Sequence, residues 1–188
     1  MAPNNRLLYF EYTLKKLLEW NSSFTGSEEI NDFSILKCLK LLFFVSAAKA
    51  AENISSPLLE EVFDNYYAMP YGHVESNIYD VLKKQGGSLT YYCIDNYRTR
   101  RMEGKDNFED FRQLDFNITQ DILDSIEIIK YKNPNLVQLS AFELVELSHA
   151  WYSWQKYYNL AKANGQASMQ IPASIIKSED KLFSLSVY

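Results

Sequence analysis

Two histidines, His73 and His149, and two cysteines, Cys38 and Cys93, are the side chains best suited to nucleophilic or acid–base chemistry. Cys93 beside either histidine would make a thiolate and its base, the pair a hydrolase needs. No HExxH or Cys-x-x-Cys spacing accompanies them, so neither a zinc site nor a redox pair is written into the chain. Ser148-His149 falls at the end of a helical stretch, where it caps or buttresses the turn toward Trp151 and Trp154. A histidine there also sits well in the helix dipole when protonated. A structural role is therefore expected for His149, and no catalytic residue, metal ligand or cofactor site is assigned. Gly86-Gly87 is the only glycine pair, and neither GxxxxGK[ST] nor GxGxxG occurs, so phosphate binding has no support.

Two groups of residues suit binding rather than catalysis. Arg98, Arg100 and Arg101 beside Tyr97 could hold phosphates and stack on bases. Their neighbours Glu103, Asp106, Glu109 and Asp110 neutralise them, which favours a solvated loop over a nucleic-acid contact. The second group surrounds Ala68-Met69-Pro70-Tyr71-Gly72-His73-Val74. Here Pro70 fixes one φ angle and Gly72 frees another, so the chain turns sharply. Tyr66, Tyr67, Tyr71, His73 and Tyr79 then form either a presented surface, since tyrosine is frequent at interface hot spots, or a buried aromatic corner. The candidate partner-binding set is Tyr71, His73, Tyr79, Tyr97, Arg98, Arg100 and Arg101.

Helical and extended segments must position these groups. Leu7, Phe10, Leu14, Leu17 and Leu18 form one stripe of a first helix over residues 6–20. A second helix, capped by Asn31 or Asp32, runs to about residue 52 and is apolar nearly all round, which places it at the centre of the fold. Residues 54–59 read as a loop containing Pro57, and 62–67 as a short extended segment leading into the turn. Val74, Ile78 and Leu82 recur at helical spacing, giving a third helix over 75–84 that ends at Gly86-Gly87. Residues 89–94 read as a strand and 97–115 as a long loop or hairpin extension. A fourth helix spans 119–131 with Thr119 as its cap. Ser140 and Glu143 fit a capping box opening a helix to His149. Ser153 caps a helix over 154–163, residues 169–171 are a short strand, and Pro172 starts a last helix in its first turn. The expected fold is mainly α: a compact helical domain around a central apolar helix, with one short β-hairpin or small sheet. Residues 1–26 form an N-terminal helical extension and 27–188 the main domain.

The chain has 188 residues and a net charge of −5. That length suits one domain with a self-sufficient core. The acidic balance weighs against non-specific binding to phosphate backbones and is compatible with a basic protein partner. Two cysteines make no disulfide framework, which fits a reducing cytoplasm. Glu11, Lys15, Lys16 and Glu19 interrupt any signal-peptide pattern. The longest apolar stretch, residues 41–48, lies between Lys40 and Lys49 and falls far short of the ~20 residues that span a bilayer.

Two segments, taken in order, resemble a known family. The first is Leu39-Lys40-Leu41-Leu42-Phe43-Phe44, followed by Ala68-x-x-Tyr71-Gly72-x-Val74 and Ile78-Tyr79. The second is Leu139-Ser140-Ala141-x-Glu143-Leu144-x-Glu146-Leu147-Ser148-His149, followed by Trp154. Their order and separation resemble the Panacea-domain antitoxins, the family typified by SocA and the phage-associated GepA proteins. His73 stands where that pattern usually has proline, Met69 where it often has tryptophan, and Ser148 where it has threonine. The resemblance implies a mainly helical, non-enzymatic domain covering residues 27–188, with Gly72, Val74, Ser140, Glu143, His149 and Trp154 as its structural motif. It also implies a cognate toxin, encoded by an adjacent gene and bound directly in a toxin–antitoxin system. The alternatives are an adaptor that delivers a partner to a protease or chaperone, and a DNA-binding autoregulator resting on the arginines.

Overall fold

The computed structural model describes residues 3–185. At its centre lies α2 (Ile35–Ala47), buried from Lys37 to Ala47, as a helix apolar on every side must be. Its N-cap is Ser34, whose hydroxyl accepts the Lys37 amide, and neither Asn31 nor Asp32 caps it. Asp32 is drawn off to pair with the Lys37 ammonium. Asn31 is drawn off to Thr99, whose amide it accepts and to whose carbonyl it donates. The helix also ends well before residue 52. The chain turns away after Ala47 and reaches a left-handed φ of +61° at Asn53, a residue that tolerates it.

Against α2 packs α1 (Pro3–Thr25), longer at both ends than its apolar stripe suggests. It places Tyr9, Phe10, Leu14, Leu17, Leu18 and Trp20 in the same core as α2. After α2, Pro57 leads into a single π-helical turn, Leu58–Val62. The chain then forms β1 (Tyr66–Met69) and β2 (Gly72–Glu75), an antiparallel hairpin with Tyr66 opposite Glu75 and Met69 opposite Gly72. The turn of the sequence pattern is thus a hairpin loop, and a strand intervenes before the helix. That helix, α3 (Ser76–Lys84), takes Glu75 as its N-cap, the carboxylate accepting the Ile78 amide at 2.6 Å. Gly86 then goes left-handed and the Gly87 amide returns to the Leu82 carbonyl, a Schellman closure of the kind the glycine pair foretold.

A second hairpin, β3 (Tyr92–Ile94) and β4 (Thr99–Arg101), takes up the start of the segment read as a long loop or hairpin extension. A 3₁₀ turn at Glu109–Gln113 follows. Next, α4 (Phe116–Lys132) is capped by Asp115, which accepts two amides, so Thr119 lies inside the first turn rather than at the cap. Beyond a 3₁₀ turn at Leu136–Gln138 stands α5 (Ala141–His149), whose Ser140–Glu143 capping box is present in both halves. Then α6 (Tyr152–Ala163) begins without a side-chain cap of its own. The Ser153 amide is satisfied by the distant carboxylate of Glu179, which frees the Ser153 hydroxyl for another partner. Finally β5 (Met169–Gln170) joins the far edge of β1, giving the order β2-β1-β5, and Pro172 precedes α7 (Ala173–Ser178) as its N-cap. The architecture is mainly α with small antiparallel sheets, as the sequence pattern anticipates.

Candidate functional site

The β1–β2 loop is built from two residues, Pro70 and Tyr71. Proline holds φ negative, so the primed turns that need positive φ at both central positions are closed to it. The chain recovers by sending the next residue left-handed: Gly72 has φ +92°. Sterics demand glycine as well. A Cβ at Gly72 would stand 2.5 Å from Ser148 Oγ, 2.9 Å from Ser148 Cβ and 3.0 Å from Lys40 Nζ. Helices α2 and α5 therefore close on the hairpin backbone at this residue.

Behind the turn lies a sealed polar cluster. Lys40, His73, Ser148 and Ser153 are all buried to 0% exposure. The His73 amide donates to Ser148 Oγ at 3.1 Å, its Nδ1 pairs with the same oxygen at 2.9 Å, and its Nε2 pairs with Ser153 Oγ at 2.7 Å. The ring stacks on Phe43 with centroids 3.7 Å apart. Burial, with Lys40 and His149 adding to it, holds His73 well below the usual histidine range, so the ring is neutral. Lys40 donates to the His73 carbonyl, and burial alone brings its ammonium down to about 7. Serine, histidine and lysine together suggest acid–base chemistry, yet solvent reaches none of them. The cluster instead fixes β2 against α2, α5 and the start of α6, with His73 paired through its amide and both ring nitrogens and Lys40 through one of its three donors.

The surface carried by this scaffold is aromatic. Trp154 Nε1 donates to the Met69 carbonyl at 2.8 Å, tying α6 to the hairpin tip. The Trp154 ring stacks on His149 at 3.8 Å and on Tyr158 at 4.9 Å. The His149 ring lies beside the Pro70 carbonyl, and burial lowers its pKa. Tyr71 projects from the tip, 58% exposed, and Tyr152 from the start of α6, 57% exposed. Lys162 sits 4.8 Å over the Tyr158 ring, and Lys156 lies over Tyr152 and Tyr157. Helix α6 carries no acidic residue.

The residues singled out from the sequence are dispersed. Tyr71 is exposed, on the presented-surface side of the two readings. His73 is not at the surface: its side chain points inward from β2, where two hydroxyls and a stacked ring hold it, so it supports the tip rather than touching a partner. Tyr79 is half-buried on α3 beneath Lys83, and Val74 belongs to the core. Tyr97, 82% exposed, and Arg98 lie in the β3–β4 loop. Arg100 pairs with Asp95, and Arg101 with Glu28 and Asp106. Cys93 is half-buried in β3 and is no hydrogen-bond partner of either histidine. Among the described residues no group of three His, Cys, Asp or Glu side chains is placed to hold a metal ion. The same residues contain no helix long and apolar enough to cross a membrane. Sequence reasoning missed Lys40 as a structural residue, although a cation flanked by Leu39 and the apolar run from Leu41 was the visible signal. It also missed Tyr158, four residues from Trp154 and so on the same helical face.

The architecture and this braced hairpin define a mainly helical domain organised around one apolar helix. Within that class, the chain belongs to the antitoxin SocA-like family: the model of its Panacea domain matches residues 39–155. The match opens at the first residue of the Leu39–Phe44 motif and closes one residue beyond Trp154, so it holds every residue of the sealed cluster. Helix α1 lies outside it. No curated protein and no solved structure matches the chain.

Proposed function

We propose that this protein is an antitoxin that neutralises a cognate toxin, the product of an adjacent gene, by binding it directly in the cytoplasm. The toxin-binding face is the hairpin tip together with one side of α6: Tyr71, His149, Trp154 and Tyr158. The observation that carries this reading is the Trp154–Met69 tie, which holds an exposed loop and an aromatic helix face as one rigid unit. Tyrosine and tryptophan supply large contact areas with few rotamers to freeze, so a pre-ordered set of them binds at low entropic cost. Lys162, over the Tyr158 ring and unopposed by acid on α6, suits an acidic patch on the toxin. No covalent step and no cofactor is involved. A DNA-binding role rests on Tyr97 and Arg98, since Arg100 and Arg101 are held in ion pairs, and the one arginine of that cluster left free neutralises little phosphate.

The test is expression of the adjacent gene alone and together with this one, followed by co-purification. Relief of toxicity with a stable complex supports the reading. A harmless neighbour, or toxicity that this protein never relieves, defeats it.

A further inference from the structure

A second site lies on α1 and the segments packed against it, remote in sequence from the hairpin tip. Between α1, the loop after α3 and the 3₁₀ turn at Glu109–Gln113 opens a cavity of about 790 Å³. That is within the range of small-ligand pockets. Its walls include Leu7, Leu8, Thr90 and Asp110, and none of its lining residues is cationic. Glu11 lines it from α1, a carboxylate buried to 0% exposure. One carboxylate oxygen, Oε1, accepts the Tyr91 amide at 2.6 Å and the Tyr92 amide at 3.3 Å. The other, Oε2, is buried with no hydrogen-bond partner in the protein, though Thr90 stands beside the group. Asp110 adds a second carboxylate, which accepts from the Tyr91 hydroxyl and from Gln113.

A buried carboxylate oxygen with no donor carries an uncompensated desolvation cost, and burial accordingly pushes the Glu11 carboxyl above its usual range. A chain that only needed to fix the Tyr91 and Tyr92 amides could do so with a neutral glutamine. Keeping an acid there, in the wall of a pocket with no cation in its lining, provides half of an ion pair that a ligand reaches by displacing the Thr90 rim beside it. A guanidinium or ammonium donating to the free Oε2 completes it, and its apolar stem can lie along Leu7 and Leu8.

We infer that this cavity is a binding site for a guanidinium or primary ammonium group, held by Glu11 at its base and Asp110 at its rim. Such a group could arrive on a free small amine or on an arginine of a bound polypeptide. The site is separate from the toxin-binding face proposed above, and its helix α1 lies outside the family match.

Calorimetry on the full chain at low ionic strength, with agmatine and with the peptide acetyl-Ala-Arg-Ala-amide as separate probes, tests this. At least one should bind saturably, with 1-pentanol as a neutral control that does not. The tighter probe tells a free amine from a polypeptide arginine. Glu11→Gln should weaken binding at least tenfold. Thr90→Arg, which delivers a tethered guanidinium from the exposed rim, should abolish probe binding and raise the thermal midpoint. Binding unchanged in both variants, or no binding of either probe, overturns the inference. Neither result bears on toxin neutralisation, which is read by rescue.

Discussion

At Gly72 three elements meet within the radius of one methyl group, so its replacement tests the scaffold directly. Gly72→Ala must strain a φ of +92° and push aside Ser148 and Lys40 together. We expect a loss of about 2–4 kcal/mol in chemical denaturation. Lys40 gives a second, pH-dependent signature. Its ammonium titrates near 7 in the folded chain against 10.5 when unfolded. Between those values the unfolded chain holds the extra proton, so raising the pH stabilises the fold. Below pH 7 both states are charged and the full cost of burial remains. The stability of the protein relative to Lys40→Met should therefore rise from pH 7 to 10, by up to about 4 kcal/mol, and stay nearly flat below pH 7. Glu75 works in the opposite sense. Burial raises it from 4.5 to about 7, so its contribution is full below 4.5 and is lost as pH rises through 7. Glu75→Gln should remove that acid-side slope alone. These residues were only half legible. Gly72 could be read from its turn, because proline and glycine constrain the backbone locally. The burial of His73 could not, since it depends on Ser148 and Ser153, which only the folded chain brings to it.

The hairpin and the helix caps show the same division among the elements. Ser140–Glu143 was readable because both partners of the capping box lie within one turn of sequence. Asp115 and Ser34 were not separable from nearby Thr119, Asn31 and Asp32 by residue type, since all can cap and only the backbone angles and competing partners decide. Strand β2 was hidden because its four residues are all buried and two of them, His73 and Glu75, are polar, which erases the alternation of a half-buried strand. The tie between α6 and the tip has a clean test. Trp154→Phe keeps a ring for His149 and Tyr158 but loses the bond to the Met69 carbonyl. We expect about 1 kcal/mol of destabilisation, with faster hydrogen exchange confined to the Tyr71 and Gly72 amides. Unchanged exchange there would show that the tip is held by the sealed cluster alone.

Taken whole, the molecule has one core, and α1 supplies a wall of it. Tyr9, Phe10, Leu14, Leu17, Leu18 and Trp20 are buried together with α2 and α4. At about 1.5–3 kcal/mol for each large apolar side chain, this is comparable to the whole 5–15 kcal/mol that stabilises a typical domain. A chain beginning at residue 27 should therefore show no cooperative unfolding transition. A cooperative transition in that chain would make residues 1–26 a true extension. The fold class was legible in the sequence because one long apolar helix forces the others around it. The family was legible because its motifs lie in the segments that meet at Gly72. The aromatic face was only partly so, since α6 reveals its alignment with the tip through a hydrogen bond that spans 85 positions. The most direct test of that face is rescue by Tyr71→Arg, which alters an exposed side chain and leaves the core untouched, with Tyr97→Arg as the control at the other exposed hairpin. The account predicts equal thermal midpoints, with neutralisation and co-purification of the adjacent gene product lost in Tyr71→Arg and kept in Tyr97→Arg. Full rescue by Tyr71→Arg would contradict it.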